Sequence, residues 1–149
     1  MNKIVAIVGM AGSGKSIASS YFNNKGYNLV YFGGVIYEKM KEEGIEITPE
    51  SQKEFREKIR KEHGMGVVAK LLLPKIKKLY SEGNVILDGL YSWDEYKILK
   101  EEFKDLVVIA IVCDKKLRYD RISKRKERAF NKEEIIRRDV TEIENSAKG

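Results

Sequence analysis

Short apolar runs alternate along the chain with longer segments in which apolar and charged positions recur at helical spacing. Ile4 to Val8, Leu29 to Phe32, Val85 to Leu87 and Leu106 to Val112 lack polar alternation, the pattern of strands covered on both faces. Between them, residues 15–24, 35–43, 49–63, 66–81, 93–103, 115–126 and 131–146 are too long and too charged for strands and predict helices. Their starts carry helix signals. Thr48 precedes Pro49, an N-cap followed by proline at the first helical position. Ser92 with Glu95, and Asn131 with Glu134, have capping-box spacing, and Asp114 stands as a cap after the fourth strand.

Strands alternating with helices imply an α/β fold, a parallel sheet covered by helices on both faces and linked by right-handed crossovers. No repeat, linker or low-complexity tract interrupts the order, so residues 1–149 read as one domain. The chain stops inside or just after a helix, where many such folds add a strand and a closing helix. A minimal fold and a shortened form of a longer protein both fit.

Composition narrows the class. The 149 residues include 42% hydrophobic and 35% charged side chains, enough apolar material for one core. Cys113 is the single cysteine and His63 the single histidine, which excludes an internal disulfide and a structural zinc cluster. No apolar run approaches the roughly 20 residues of a membrane-spanning helix. The N-terminal apolar run meets Lys15 where a signal peptide would continue. A soluble, cytoplasmic protein with no membrane partner is expected.

The net charge of +6 is local. Residues 115–138 hold eleven basic and four acidic side chains, and the remainder is close to neutral. A single basic segment fits a polyphosphate ligand, and it argues against an extended nucleic-acid surface.

The strongest signal is Gly9-x-x-x-x-Gly14-Lys15-Ser16, which follows a strand and opens a helix. Glycines let successive backbone N–H groups turn inward around phosphate oxygens, and the helix N-terminus adds positive potential. Gly9, Ala11, Gly12, Ser13, Gly14, Lys15, Ser16 and Ile17 are assigned to the donor nucleotide. Lys15 would neutralise its β- and γ-phosphates, and Ser16 would bind Mg²⁺. Asp88 closes the third strand, in the crevice where open α/β sheets bind ligands, and is assigned to metal or to the acceptor. Arg121, Arg125, Arg128 and Arg138 lie where they could fold over the phosphates, and their planar forks match phosphate oxygens. These four, with Lys15 and Asp88, are the candidate catalytic residues.

The order of Gly9 to Ser16, Val85-Ile86-Leu87-Asp88-Gly89 and the basic stretch into Arg137-Arg138-Asp139 resembles nucleoside monophosphate kinases of the adenylate kinase type. Over the whole chain it looks closest to adenylate-kinase-related, dephospho-CoA-kinase-like proteins. Phe32-Gly33-Gly34-Val35-Ile36-Tyr37-Glu38, Arg60-Lys61-Glu62-His63-Gly64 and Asp88-Gly89-Leu90-Tyr91-Ser92 carry that closer likeness. The resemblance implies a three-layer P-loop NTPase fold and an ATP- and Mg²⁺-dependent phosphotransferase. It also implies a basic lid over about 115–138 and acceptor-side helices over about 34–81. The acceptor would be a small molecule, a nucleotide or a CoA precursor.

The chain departs from the adenylate kinase pattern at two points. Gly33-Gly34 and then Tyr37 stand where those kinases have Gly-Asp and an arginine. Leu90-Tyr91-Ser92 replaces Pro-Arg after Asp88-Gly89. Two arginines expected on an acceptor phosphate are missing, which puts AMP in doubt, and Arg56 or Arg60 is placed to compensate. The alternative function is a P-loop ATPase or nucleotide-binding switch with no metabolic acceptor. GTPase signatures are poor, since no Asn-Lys-x-Asp motif occurs. His63, at a helix C-terminus, fits a capping role better than catalysis. Trp93, Tyr96 and Leu99 to Phe103 fall at helical spacing and are expected in core or groove packing. Cys113 is expected to pack at its strand end.

Overall fold

The four apolar runs form one parallel sheet. The computed structural model describes residues 1–125 and 131–144. Strand β1 (Ile4–Val8) leads into helix α1 (Lys15–Asn24), and β2 (Asn28–Tyr31) into α2 (Phe32–Glu42), α3 (Pro49–His63) and α4 (Val67–Glu82). Strand β3 (Val85–Asp88) leads into α5 (Trp93–Glu102), and β4 (Val107–Ala110) into α6 (Lys115–Ser123) and α7 (Lys132–Glu144). The strand order is β2-β3-β1-β4, and every pair is parallel. Asp88 of β3 pairs with both Ile7 of β1 and Tyr31 of β2, so the loops leaving three strands open at one edge of the sheet.

Alternation along the central strands divides the core between two faces. Ile4, Ala6, Val85 and Leu87 face one way and pack with Phe32, Ile36, Met40, Val68, Leu72, Ile76 and Leu99 from α2, α4 and α5. Val5, Ile7 and Ile86 face the other way, toward Ala18 and Phe22 of α1. Helices therefore cover both faces, as a βαβ chain requires.

The expectation of strands covered on both faces holds for β1 and β3 and fails at the edges. In β4, Val107 is 54% and Val108 39% exposed, and Leu29 of β2 is 42% exposed. An unbroken apolar run identifies a strand but does not distinguish a central one from an edge one. Phe32 begins α2 instead of ending β2, and its side chain is buried under the helix. Leu99 and Phe103 lie in the core as expected, whereas Trp93 is 67% exposed and stacks on Tyr96 with ring centroids 4.9 Å apart.

The caps form as their sequences predict. The Thr48 side chain accepts from the Ser51 amide, and the Thr48 amide donates to Ser51 Oγ. Ser92 and Glu95 make the reciprocal pair at α5, and Asn131 and Glu134 at α7. Asp114 Oδ1 accepts from the amides of Lys116 and Leu117.

Leu99 is fully buried and joins α5 to the sheet. Leu99→Ala is expected to lower unfolding free energy by about 2–5 kcal/mol in urea titrations, with little change in slope.

Candidate functional site

The loop between β1 and α1 is shaped by three glycines with positive φ: Gly9 at 150°, Gly12 at 77° and Gly14 at 105°. A side chain at Gly9 would place its Cβ 2.5 Å from the Ile111 carbonyl oxygen and 2.8 Å from Ser13 Oγ. At Gly12 a Cβ would lie 2.8 Å from the Arg118 carbonyl oxygen. Gly14 caps α1 without any side-chain acceptor, so the first amides of the helix stay available to an anion. Ser13 is buried, and its hydroxyl is unpartnered among the described residues. An orphaned hydroxyl in a cradle of turned amides fits a phosphate group.

Lys15 opens α1, and its ammonium donates to the carbonyl oxygens of Gly9 and, at 3.1 Å, Met10. Burial lowers its pKa, while the carboxylates of Glu142 and Asp88 oppose the shift. Ser16, on the same first turn, is exposed. Its hydroxyl, with the Asp88 carboxylate at the end of β3, provides hard oxygen donors of the kind Mg²⁺ takes alongside phosphate and water.

The loop is held from behind by a buried ion pair. Arg118 of α6 donates to Asp139 of α7 through both terminal nitrogens, at 3.0 and 2.7 Å, and to the Ala11 carbonyl at 3.0 Å. Burial pushes the Asp139 pKa up, but the Arg118 guanidinium more than offsets it and holds the carboxyl below its ordinary range. Arg121 adds a bond to the Gly12 carbonyl at 3.3 Å and one to Cys113 Sγ at 3.4 Å. Ala11 packs with Ile122 and Ile135 beneath the loop.

Beside Lys15 lies a cavity of about 720 Å³ bounded by the loop, α2, α3, the Gly89–Tyr91 turn and α7. Phe32, Ile36, Val68 and Leu90 give it an apolar wall. Tyr31, Tyr37 and Tyr91 add aromatic surface. The Tyr31 ring passes 2.7 Å from where a Gly33 Cβ would stand, so glycine there lets the phenol lie across the start of α2. Tyr91 is 47% exposed as a whole, and desolvation at its hydroxyl end, with Tyr31 and Glu142 nearby, pushes its pKa up to about 12.

Two carboxylate–guanidinium pairs line the cavity. Glu95 is buried; its Oε2 accepts from the amides of Tyr91 and Ser92 at 3.0 and 3.1 Å, and its Oε1 faces Arg60 at 3.7 Å. Burial raises its pKa, and those amides and Arg60 oppose the rise. Arg138 Nε donates to Glu142 Oε1 at 2.8 Å. Arg56 is half-buried; burial and then Arg60 lower its pKa, and the largest other influences are Tyr37, Tyr91 and Arg138, with no carboxylate among them.

The predicted residues thus separate. Lys15, Gly9 and Arg138 line the cavity, and Asp88 and Arg125 are close enough for their charges to act on Lys15. Ala11, Gly12, Ser13, Gly14 and Ser16 build the loop and its helix start, whereas Ile17 turns its side chain to solvent, 77% exposed. Arg121 lies against the outer side of the loop, where its guanidinium donates to the Gly12 carbonyl. Arg128 lies outside the described residues. Arg118 and Glu142 carry no signal in the sequence, and Glu95 is marked there only as a cap partner. The Ser92–Glu95 spacing marks the cap at α5, but nothing local signals that the same carboxylate reaches Arg60.

The sequence profile of the AAA domain family matches residues 5–143. A UPF0200 protein of Sulfurisphaera tokodaii is 37% identical over 147 residues, covering 95% of this chain and 78% of that protein. A UPF0200/UPF0201 protein of Archaeoglobus fulgidus is 36% identical over 126 residues; the match covers 83% of this chain and 39% of that protein. Among solved structures, a sugar kinase from Janibacter sp. HTCC2649 has a TM-score of 0.56 at 14% identity, covering 95% of this chain and 78% of that one. A gluconokinase from Sinorhizobium meliloti 1021 has a TM-score of 0.55 at 15% identity, covering 94% and 74%. These likenesses show a P-loop kinase-like α/β fold. No described helix is long and apolar enough to cross a membrane.

Asp139→Asn leaves the Arg118 charge buried beside the loop. It is expected to cost about 3–5 kcal/mol of stability near neutral pH, read by chemical denaturation. Because the folded pKa of Asp139 is depressed, its contribution is present above the ordinary carboxylate pKa and is lost as pH falls below it. The difference between wild type and variant should therefore shrink in acid.

Proposed function

This chain belongs to the AAA domain family, and from that premise we propose that it is an ATP-dependent phosphotransferase acting on a small-molecule acceptor. The observation that carries the reading is the juxtaposition of a phosphate-shaped loop and its Lys15 with a cavity of about 720 Å³. The donor phosphates would be held by the loop amides, Ser13 and the Lys15 ammonium. Ser16 and Asp88 would hold Mg²⁺, which when bound supplies charge neutralisation for the phosphates. Phosphoryl transfer asks a protein for alignment and positive charge more than for covalent chemistry. Lys15 and Arg138, which both line the cavity, would supply that charge, and Arg125 is an exposed further cation just after α6.

The acceptor side supports a molecule with an anionic group and an apolar or planar part. Arg56 is a half-buried cation with no carboxylate among its main influences, and burying it there is offset when an anion joins it. The Tyr31, Tyr37 and Tyr91 rings and the wall of Phe32, Ile36 and Leu90 suit a base or another apolar group better than a neutral polyol. A nucleotide or a CoA precursor has both features. The apolar and aromatic wall favours such an acceptor over a sugar or over gluconate, which has an anionic group but no apolar or planar part.

The test is ADP release from MgATP with dephospho-CoA, each common nucleoside monophosphate, gluconate and glucose in turn. One anionic acceptor is expected to stimulate release, and Lys15→Ala to abolish it. Arg56→Gln is expected to raise that acceptor's KM about tenfold or more with a smaller effect on kcat. Stimulation by glucose or gluconate alone would contradict the acceptor assignment. Release that no acceptor stimulates would favour a plain ATPase.

A further inference from the structure

Helix α7 brings two opposite charges to the phosphate site on one face, one turn apart. Arg138 and Glu142 both line the cavity that Lys15 lines, and the Arg138 Nε to Glu142 Oε1 bond is 2.8 Å. The pair differs from an ordinary exposed i,i+4 bridge, because the Glu142 side chain is only 15% exposed. Glu142 is also the foremost carboxylate acting on the Lys15 ammonium, ahead of Asp88. A largely buried negative charge beside a loop built for phosphates opposes the binding of any polyanion.

Resting on the reading of that loop as a phosphate site, we propose that Glu142 is an internal competitor of the nucleotide phosphates. Its carboxylate holds Arg138 by hydrogen bond and attracts Lys15 by charge, the two cations the phosphates would take. Lys15 completes its resting contacts on the Gly9 and Met10 carbonyls, so both cations rest on the protein's own oxygens. The competitor is fixed in place, since Asp139, the residue after Arg138, anchors α7 to Arg118 and through it to the loop. Exchange of Glu142 for phosphate then needs side-chain rotation of Arg138 and no movement of the helix. The consequence is weaker, more readily reversed nucleotide binding, with Arg138 recaptured when product leaves. Asp88 and Arg125 also act on Lys15 by charge, and Arg138 acts on Arg56.

Calorimetric titration of the intact chain with ATP and with inorganic tripolyphosphate tests this, using wild type, Glu142→Gln and Glu142→Asp. Glutamine keeps an oxygen for Arg138 and removes the charge; aspartate keeps the charge. Glu142→Gln is expected to bind both probes about three- to tenfold tighter at low salt, with the gain shrinking as salt rises. Glu142→Asp is expected to bind close to wild type. Unchanged or weaker binding by Glu142→Gln, or equal tightening by Glu142→Asp, overturns the competitor while leaving a nucleotide site in place. Failure of every form to bind either probe overturns the phosphate site and the competitor together.

Discussion

The buried bridge between Arg118 and Asp139 is the constraint on which the site depends. A glycine-rich loop with three positive-φ residues has little rigidity of its own, and its shape must be imposed from outside. Arg118 imposes it by bonding the Ala11 carbonyl while its own backbone fills the space beside Gly12. Asp139 neutralises the buried guanidinium and in doing so docks α7. Arg138 and Glu142 line the cavity from α7, whose Asp139, next to Arg138, is paired with Arg118 in the interior. Loop shape, helix position and the cations near Lys15 are thus linked through one ion pair. A buried bridge of this kind contributes little net stability relative to an apolar substitute, and its value here lies in geometry.

On the other side of the cavity a second buried carboxylate plays a parallel part. Glu95 closes the cap of α5, fixes the Tyr91 and Ser92 amides and faces Arg60 across from α3. The turn after β3 and the helix that carries Arg56 are thereby held in register. Both walls carry carboxylate–guanidinium pairs, and Arg56 makes none among the described residues. That contrast underlies the proposed anion-bearing acceptor.

The local features of this architecture are legible in the sequence. Gly9 to Ser16 signals its loop because backbone conformation and residue type coincide within eight positions. Thr48, Ser92, Asp114 and Asn131 signal their helix starts for the same reason. What escapes the sequence is contact across distance. Arg118 meets a carbonyl 107 residues away, and nothing in its neighbours separates it from Arg121, which bonds the next carbonyl of the same loop. Glu142 is one acid among several in an amphipathic helix until the fold turns it inward. Edge and centre are likewise invisible: Val107 and Val85 have the same character, and only the strand order exposes one and buries the other.

The central claim, that this loop and cavity together move a phosphoryl group onto a small molecule, is tested most directly by following the group itself. The protein would be incubated with MgATP labelled in the γ-phosphoryl group and a mixture of candidate acceptors, and the products separated by mass. The account predicts label on one anionic small molecule and none there with Lys15→Ala. Label appearing only in inorganic phosphate, with the wild-type protein shown to bind ATP, would contradict it.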